Sequence, residues 1–357
     1  MIIGIDVREG ARVERAGKGE YVYQVVSELV QHSEHRFVLF SDRDVPKQWQ
    51  KDNVRTVIFK TPSFIWQFLV FLQLEFIRPV DTYFSTTSLI IPALVRSTPV
   101  VTTLFDFVSF LFPSRHQQKA VVLEKMWMKL AIRYSQHLLS ISEHTKKDAI
   151  KLFKVSPDKI TTTYLAASFV QEQESITINK ENVILFIGTL EPRKNIVKLV
   201  EAFNKLKTEG IHASLLLVGK WGWQSDTIKQ AIEQSPFKQD IQVLGYVRAA
   251  QKQSLYKQSA VLAFPSIYEG FGLPPLEAMA MGVPVVTSNI SSLPEVVGDA
   301  AVLVDPNSTE EIYSAVKKIL TDKSFTEQLV AKGYIQAQKF NWQKTADATL
   351  GVLLGKN

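Results

Sequence analysis

The sequence predicts an α/β protein made of two doubly wound domains, and three observations lead to that prediction. The chain has 357 residues, more than one hydrophobic core usually supports. Short apolar runs alternate with longer amphipathic segments, a pattern typical of parallel strands joined by helical crossovers. The alternation stops once, in the polar stretch 168–182, and then restarts. We therefore expect a domain on either side of a linker over 168–182.

The first domain is expected to span residues 1–167. Its predicted strands are IIGID (2–6), RFVLFS (36–41), VRTVIF (54–59), PVVTTLF (99–105) and HLLSIS (137–142). Helical patterns between them include GEYVYQVVSELVQ (19–31) and a basic segment over 116–135. Because parallel strands need crossover connections, the sheet is expected to be covered by helices.

The second domain is expected over 183–340. Its predicted strands are VILFIG (183–188), SLLLVG (214–219), IQVLGYV (241–247), AVLAFP (260–265), PVVTS (284–288) and AVLVD (301–305). Helical patterns follow at 308–322, 325–339 and 342–355, and the terminal segment 341–357 is a helix that could pack back on the first domain. Two such domains facing each other would leave a cleft at the carboxyl ends of both sheets, where ligands of doubly wound folds bind.

Composition excludes several kinds of site. The chain has no cysteine, which rules out disulfides and thiolate metal ligands, and its six histidines show no metal-binding spacing. The net charge of +6, from 41 basic and 35 acidic residues, suits phosphorylated ligands, an anionic membrane or nucleic acid. The basic residues form no long block and match no common nucleic-acid motif. We therefore expect no metal and no nucleic-acid partner.

Two segments raise the question of membrane contact. The N-terminus shows no secretory signal pattern, and no apolar run reaches the ~18 residues that span a bilayer. Residues 62–79 form either a buried helix or a surface helix that meets a membrane or a lipid-linked substrate. Residues 116–135 form either a solvated helix over a core or a basic amphipathic helix against anionic lipid. We expect a cytoplasmic protein, with contact at the inner face of the membrane as the open alternative.

The stretch SIYEGFGLPPLEAMAMGVPVV (266–286) combines two acids with a glycine-rich turn. It predicts a strand end, a tight loop and a helix start, because Gly270 and Gly272 permit a sharp turn and the two following prolines suit a first helical turn. Glu269 precedes the loop, and Glu277 is expected within that first turn. Amides for a phosphate and acids for hydroxyls are what a sugar nucleotide requires. The alternative is an ordinary strand–turn–helix unit whose acids cap it.

Several motifs in order give this chain a family resemblance. Besides 266–286 they are SSLPEVVGDAAVLVDP (291–306), GTLEPRKN (188–195), LLLVGKWGW (215–223), LGYV (244–247), SISEHTKKD (140–148) and NWQKTA (341–346). Together they resemble the retaining family 4 glycosyltransferases of the GT-B type, which have two Rossmann-like domains around a central cleft. The short chain with GTLEPRKN is most similar to bacterial mannosyltransferases of surface polysaccharide assembly.

The resemblance implies a reaction as well as a fold. A sugar would pass from a nucleotide diphosphate donor to a hydroxyl of a glycan or lipid-linked glycan, with GDP-mannose favoured over UDP-glucose and UDP-N-acetylglucosamine. Such enzymes are thought to use a front-face mechanism in which the leaving phosphate helps to deprotonate the acceptor. No cofactor is implied besides the donor substrate.

Arg193 and Lys194 match the basic pair that binds the donor diphosphate in this family. The chemistry fits, since a fixed cation stabilises the negative charge that builds on the leaving oxygen. The same cations supply the charge that a metal would otherwise supply. The only Asp-x-Asp match, DRD (42–44), lies away from the motif-bearing segments. Metal independence is therefore expected.

Further site residues follow from the same resemblance. Glu277 matches the acid that holds the ribose hydroxyls, and Glu269 matches the acid near the donor sugar, with a positioning and electrostatic role rather than that of a nucleophile. Val247 matches the region that meets the nucleotide base. The remaining donor contacts fall on the loop residues Gly270, Phe271, Gly272 and Leu273.

Two features of the first domain leave alternatives open. AGKGEYVYQVV (16–26) resembles a glycine-rich loop ahead of the first helix, where Gly17 and Gly19 would let the backbone approach phosphates or acceptor, or form a simple turn. PVVTTLFDFVSFLFP (99–113) has Phe105 where many family members have histidine, followed by Asp106. Asp106 is expected on the acceptor side or as a structural cap. Because Phe105 cannot replace an imidazole hydrogen bond, a non-catalytic sugar-nucleotide-binding partner of another transferase is the alternative function.

Overall fold

The structure, a computed structural model, describes residues 1–112, 118–168 and 182–356. Its chain divides into two compact units, one formed by residues 1–165 with 341–357 and the other by residues 166–340. Most of the predicted linker, residues 169–181, lies outside the described residues, as do residues 113–117. The two units are therefore considered separately.

The first unit contains one sheet of seven parallel strands. Its elements are β1 (Ile2–Asp6), α1 (Gly17–Leu29), β2 (Arg36–Ser41), β3 (Val54–Ile58), α2 (Ser63–Leu72), β4 (Thr82–Ser85), α3 (Ile90–Leu94), β5 (Val100–Leu104), α4 (Val108–Leu111), α5 (Gln118–Tyr134), β6 (His137–Ser140), α6 (Glu143–Phe153), β7 (Ile160–Thr162) and, from the end of the chain, α14 (Trp342–Leu353). The strand order is β3-β2-β1-β4-β5-β6-β7. The order reverses between β1 and β4.

The second unit repeats this plan with six parallel strands. Its elements are β8 (Val183–Ile187), α7 (Ile196–Thr208), β9 (Ser214–Val218), α8 (Asp226–Glu233), β10 (Ile241–Gly245), α9 (Ala249–Lys257), β11 (Val261–Phe264), α10 (Leu273–Ala280), β12 (Val285–Ser288), α11 (Leu293–Val297), β13 (Val302–Val304), α12 (Thr309–Thr321) and α13 (Lys323–Ala337). The strand order is β10-β9-β8-β11-β12-β13, so the reversal falls between β8 and β11.

These topologies confirm the predicted fold class of two Rossmann-like units. The central strands β8, β9 and β11 are buried along their whole length, as parallel strands covered by helices should be. Two strands, β4 (TYFS) and β7 (ITT), were not predicted from the sequence, because half or more of their residues are Thr or Ser and they form no apolar run. The reversal points matter for function, because ligands of this fold bind beside the carboxyl ends of the two strands at the reversal.

The last helix packs within the first unit. Asn341 caps α14 by accepting hydrogen bonds from the backbone amides of Gln343 and Lys344. Trp342 lies 6.3 Å from the ring of Tyr21 on α1, measured between ring centroids. The Thr345 hydroxyl donates to the carbonyl of Tyr164, just beyond β7. The chain therefore closes the first unit with its final helix.

The two segments in question for membrane contact are helical. Residues 62–79 form α2 and a π turn (Gln73–Ile77), and the basic segment forms α5. The prediction of a buried helix over 62–79 is wrong for one face of α2, because Trp66 is buried whereas Phe64 is 79% exposed. In the part of the chain that the structure describes, no helix combines the length and apolarity needed to cross a bilayer.

Candidate active site

The reversal point of the second sheet gathers three of the charged residues singled out in the sequence. β8 and β11 pair directly, so the loops that leave their carboxyl ends, residues 188–195 and 265–272, lie side by side. The backbone amide of Ile267 donates to the carbonyl of Arg193 at 2.9 Å and joins the two loops. Arg193 and Lys194 come from the first loop and Glu269 from the second.

A single helical turn presents the basic pair. Pro192–Lys194 form a 3-10 turn that ends at Asn195, which adopts a left-handed conformation with φ of 60°. The Asn195 side chain donates to the carbonyl of Pro306 at 2.6 Å and holds this conformation. α7 begins immediately afterwards. The turn therefore fixes the direction in which both basic side chains leave the backbone.

Glu269 contacts both cations. The Lys194 Nζ donates to the Glu269 Oε1 at 2.5 Å, and the Arg193 Nη1 lies 3.3 Å from the Glu269 Oε2. The Arg193 Nη1 also donates to the carbonyl of Tyr268 at 2.5 Å. The side chains of Lys194 and Glu269 are 10% and 12% exposed, so the ion pair lies mostly out of water. Removing either partner would leave an uncompensated buried charge, which is costly.

A fourth charged residue, Glu191, completes the cluster. Its Oε1 accepts from the Arg193 Nη2 at 2.6 Å and from the Arg193 Nε at 3.0 Å. Two cations thus face two carboxylates, Glu191 and Glu269, and the formal charge of the four side chains is zero. An anionic ligand can bind here only by taking the cations over from these carboxylates or by sharing them.

The environment lowers the pKa values of both Glu269 and Lys194, for different reasons. Burial alone would raise the pKa of Glu269, but the charges of Lys194 and Arg193 outweigh it, and the pKa lies below its ordinary value. Burial, aided by Arg193, lowers the pKa of Lys194 against the attraction of Glu269. The lowered pKa of Glu269 is the better guide to the ionisation of this pair, because two cations contact this one carboxylate. We therefore treat Glu269 as ionised at neutral pH.

The loop after Glu269 is held from the other side by two serines. The Ser291 hydroxyl accepts from the Glu269 amide at 2.9 Å and lies 2.7 Å from its carbonyl. The Ser292 hydroxyl lies 2.9 Å from the Glu269 carbonyl and 2.7 Å from that of Phe271. The backbone of the loop is therefore set before any ligand binds.

Gly272 turns this loop into α10. Its φ of 108° is one that residues with side chains rarely adopt, and a Cβ here would lie 2.7 Å from the Leu293 Cδ2. Leu273 begins the helix, with Pro274 and Pro275 at its next two positions. Because proline has no amide hydrogen, this helix start offers fewer donors than the sequence interpretation assumed.

Glu277 lies in the second turn of α10, so its predicted place in the first turn is wrong. It is the fifth residue of the helix and is buried, with partners from α9. The Lys252 Nζ donates to its Oε1 at 2.5 Å, and the Tyr256 hydroxyl donates to its Oε2 at 2.8 Å. Burial and the nearby Glu277 charge raise the pKa of Tyr256 well above its ordinary value, so this hydroxyl stays a donor. Each carboxylate oxygen can still accept a second hydrogen bond.

The other predicted donor residue of this unit lies farther along the same edge. Val247 is half-buried in the loop after β10, and β9 separates β10 from β8 in the sheet. The structure thus brings Arg193, Lys194 and Glu269 into direct contact, whereas Val247 belongs to a separate loop at the carboxyl ends of the strands.

The glycines of the first unit do not form a loop ahead of α1, which corrects the prediction. Gly17 and Gly19 lie in the first turn of α1, which begins at Gly17. At Gly19 a Cβ would lie 2.8 Å from the carbonyl oxygen of Glu9, so the close backbone approach is to the chain itself. At Gly17 a Cβ would meet no heavy atom within 4 Å.

Asp106 and Phe105 follow β5 in the first unit. The Asp106 Oδ1 accepts from the backbone amide of Val108 at 3.2 Å and forms a local turn just before α4, which favours the structural role left open by the sequence. The ring of Phe105 meets that of Tyr21 edge-on at 5.3 Å and lies 5.2 Å from the Lys18 Nζ. Phe105 thus takes part in packing on α1.

Three contributors were not predicted from the sequence. Glu191 stands two residues before Arg193 in GTLEPRKN and could have been found as an acid beside a basic pair. Lys252 and Tyr256 are four residues apart on α9, the spacing that puts two side chains on one helix face. Across the described residues, no group of three or more His, Asp or Glu side chains is placed to hold a metal ion.

Comparison with protein families and known sequences places these features among glycosyltransferases. Residues 169–336 match the family described as Glycosyl transferases group 1. The chain is 36% identical over 261 residues to O-antigen chain mannosyltransferase B of Escherichia coli, covering 70% of this chain and 68% of that protein. It is 30% identical over 237 residues to O-antigen chain mannosyltransferase RfbU of Salmonella typhimurium, covering 66% of this chain and 64% of the relative.

Solved structures show the same fold at lower sequence identity. Sucrose-phosphate synthase from Thermosynechococcus elongatus superposes with a TM-score of 0.79 at 18% identity, over 100% of this chain and 98% of that one. Anabaena HepE in complex with UDP-glucose gives a TM-score of 0.75 at 17% identity, over 99% of this chain and 100% of the other. These similarities confirm the GT-B fold class predicted from the sequence.

Proposed function

This chain belongs to the group 1 glycosyl transferases, and on that premise we propose that it transfers mannose from GDP-mannose to a hydroxyl of a bacterial surface polysaccharide. The transfer retains the anomeric configuration of the donor and needs no metal ion. The observation that supports this most strongly is the buried contact of Lys194 and Arg193 with Glu269 at the reversal point of the second sheet.

The cluster suits a reaction in which negative charge builds on a phosphate. In the proposed step the bond between the anomeric carbon and the phosphate oxygen breaks, and the acceptor oxygen bonds to the same face of that carbon. The acceptor proton passes to the leaving phosphate. Lys194 and Arg193 stabilise the charge on the departing GDP, and they do so in a mostly water-excluded position where such stabilisation is strongest.

Glu269 has a positioning role in this proposal. In the ligand-free protein it neutralises Lys194, and the donor diphosphate takes over that cation when it binds. The freed carboxylate then faces the sugar, where its negative charge favours the positive charge that develops at the anomeric carbon. The serine contacts of its backbone hold it in place during this exchange.

Glu277 is proposed to hold the ribose of the nucleotide. Lys252 and Tyr256 orient its carboxylate from α9, and each oxygen retains capacity for a ribose hydroxyl. Val247 and the loop Gly270–Leu273 are proposed to line the remainder of the donor. The acceptor is assigned to the first unit, with Asp106, Gly17 and Gly19 as the proposed contributors.

The choice of mannose rests on the relatives. Two proteins at 36% and 30% identity are O-antigen chain mannosyltransferases, and a third relative at 28% identity over 226 residues is a serotype-specific mannosyltransferase, WbdA of Escherichia coli. A surface polysaccharide is accordingly the proposed product.

Donor choice can be tested without knowing the acceptor. We expect GDP-mannose to raise the thermal stability of the protein more than UDP-glucose or UDP-N-acetylglucosamine does, and EDTA to leave the effect unchanged. At about 100 times its dissociation constant a ligand adds about 2.7 kcal/mol of stability, which is readily measured. Stabilisation by a uridine donor alone would overturn the GDP-mannose assignment, and loss of the effect in EDTA would overturn metal independence.

The same donor can distinguish transfer from binding alone. Phe105, in place of the usual histidine, motivates a non-catalytic protein that binds the donor without turnover. Release of GDP from GDP-mannose in the presence of a panel of mannosides supports the transferase. Saturable GDP-mannose binding with no GDP release above the rate without protein would instead support the binding partner.

A further inference from the structure

The carboxylate of Glu191 has a single hydrogen-bonding partner within the described residues, which is Arg193. Its Oε1 accepts from the Arg193 Nη2 at 2.6 Å and from the Arg193 Nε at 3.0 Å. The side chains of Glu191 and Arg193 are 11% and 14% exposed, so both charges lie mostly out of water. Glu191 is therefore the dedicated counter-ion of Arg193, whereas Glu269 is shared between two cations.

The backbone holds Glu191 in place before any ligand binds. Glu191 has an extended backbone just ahead of the 3-10 turn, and its carbonyl accepts from the Lys194 amide at 3.0 Å. The loop after β9 packs against it, since a Cβ at Gly222 would lie 3.0 Å from the Glu191 Cβ. The Gly222 amide also donates to the carbonyl of Leu190 at 3.0 Å. Because Glu191 and Arg193 flank one short turn, their contact can persist without the movement of another element.

This contact decides which part of the Arg193 guanidinium faces the loop of Glu269. Glu191 occupies the edge formed by Nε and Nη2. The Nη1 donates to the carbonyl of Tyr268 and lies 3.3 Å from the Glu269 Oε2. A guanidinium is a rigid plane of five donors, so fixing one edge orients the other. Nη1 is therefore the Arg193 nitrogen that lies beside the pair of Lys194 and Glu269.

Orientation of Arg193 does not by itself require a charge at position 191. A glutamine there would have the same length, and its amide oxygen could accept the same two hydrogen bonds. A buried carboxylate is costly, because desolvation opposes its charged form. The negative charge of Glu191 has a further effect, which is exerted on an anion bound beside Arg193.

The proposed reaction increases the negative charge of the nucleotide. GDP-mannose carries about one negative charge on each phosphate, whereas the terminal phosphate of GDP ionises a second time with a pKa of about 6. GDP therefore carries about one negative charge more than the donor at neutral pH. A site with two uncompensated cations would hold the product more tightly than the substrate.

We propose that Glu191 is a positioning residue that directs Arg193 toward the diphosphate and weakens the binding of the product nucleotide relative to the donor. Glu269 releases Lys194 when the donor binds, whereas Glu191 keeps its contact with Arg193 and repels the additional charge of GDP. This inference rests on the proposed function, but it does not depend on which base or sugar the donor carries.

Calorimetric titration of Glu191→Gln with GDP and with GDP-mannose tests this role. We expect the variant to bind GDP about five times more tightly than the unmodified protein does, because a negative charge beside the diphosphate is lost. GDP-mannose should gain about twofold, so that the ratio of the two dissociation constants shifts toward the product. Both gains should shrink at high salt. A residue that only oriented Arg193 would instead weaken both ligands alike when replaced.

Two further variants separate charge from shape. Glu191→Asp keeps the charge and should keep the ratio of dissociation constants closer to that of the unmodified protein. Glu233→Gln removes an exposed carboxylate that pairs with Lys238, and it should leave both affinities unchanged although the net charge changes equally. The unmodified protein supplies a measurement that needs no variant, since it should bind GDP at most about threefold more tightly than GDP-mannose.

The results that overturn this role differ from those that overturn the proposed function. Weaker GDP binding in Glu191→Gln, or equal gains for GDP and GDP-mannose, would overturn the role of Glu191 and leave the donor site in place. The same shift seen with UDP and UDP-glucose would change the donor and still support Glu191. Failure of the unmodified protein to bind any nucleoside diphosphate or its sugar would overturn both.

Discussion

At the scale of single residues, the charge of Lys194 dominates the proposed chemistry. Its ammonium is buried, lies 2.5 Å from the Glu269 Oε1 and sits 5.0 Å from the ring centroid of Phe264. A cation held this way needs no reorganisation when negative charge appears on a phosphate oxygen, and this preorganisation is what makes electrostatic catalysis effective.

Replacing Lys194 with alanine should therefore lower kcat/KM for transfer from GDP-mannose by about 100-fold to 1,000-fold. The steady-state rate of GDP release measures this change in kcat/KM. Lys198→Ala is the matched control, because Lys198 lies on α7 near the cluster but pairs at the surface with Glu201. Equal losses in the two variants would argue against a specific role for Lys194.

The lowered pKa of Glu269 predicts a dependence of stability on acid. A carboxylate whose pKa is lower in the folded protein than its ordinary value of 4.5 stabilises the fold fully above that pH. This stabilisation is lost as the pH falls through the lowered pKa.

Glu269→Gln should accordingly flatten the fall in melting temperature between about pH 5 and pH 3. The control is Glu327→Gln, which removes an exposed carboxylate on α13. A profile for Glu269→Gln with the same acid slope as the unmodified protein would contradict the assignment of an ionised, cation-paired Glu269.

At the scale of elements, the loop between β11 and α10 depends on one glycine. Gly272 combines a φ of 108° with a position where a Cβ would lie 2.7 Å from Leu293. Both features oppose any side chain, and together they set the angle at which α10 leaves the sheet. That angle in turn brings Glu277 to Lys252 and Tyr256 on α9.

Gly272→Ala should destabilise the protein by about 1–3 kcal/mol and weaken GDP binding, because the loop must shift to remove the strain. Gly17→Ala provides the comparison, since a Cβ there meets nothing within 4 Å and alanine favours a helix over glycine by roughly 0.5–1 kcal/mol. Urea unfolding of both variants measures the difference. A neutral Gly272→Ala would mean that the loop tolerates another conformation.

The positions of the strand ends and helix starts explain which features of the site the sequence could predict. Lys194 and Glu269 are 75 residues apart, and the family resemblance assigned both to the donor. Their direct contact was not predicted, because it depends on the pairing of β8 with β11, which the strand pattern alone does not give. The role of Gly19 was not predictable, since its neighbour, the Glu9 carbonyl, lies in a loop without periodic pattern. The second-turn position of Glu277 depends on where α10 begins, and the ends of elements are the part that patterns define least well.

At the scale of the whole molecule, the last helix is part of the first unit. α14 belongs to that unit although 175 residues of the other unit, 166–340, precede it in the chain. Trp342 lies against Tyr21, which is fully buried and bonded through its hydroxyl to Thr103 on β5 at 3.2 Å. The motif NWQKTA thus has a structural function in the first unit.

Trp342→Ala should destabilise the first unit by about 3–5 kcal/mol, the usual cost of removing a large buried aromatic side chain. In differential scanning calorimetry, Trp342→Ala should lower the temperature at which the first unit unfolds. Lys344→Ala, at an exposed position on the same helix, should leave the unfolding temperatures unchanged. Hydrogen exchange should show that the backbone amides around Lys194 and Glu269 in the second unit stay protected in Trp342→Ala. If the amides of the second unit lose protection at the temperature at which the first unit unfolds, the two units unfold as one.

The anomeric configuration of the product is the most direct test of the proposed retaining transfer of mannose. The protein is incubated with GDP-α-mannose and a mannoside acceptor, and the new linkage is assigned by NMR from the one-bond coupling at the anomeric carbon. We predict an α-mannoside formed in equal amount with GDP, and its loss in Lys194→Ala. A β-mannoside, or donor binding without any mannoside product, would contradict it.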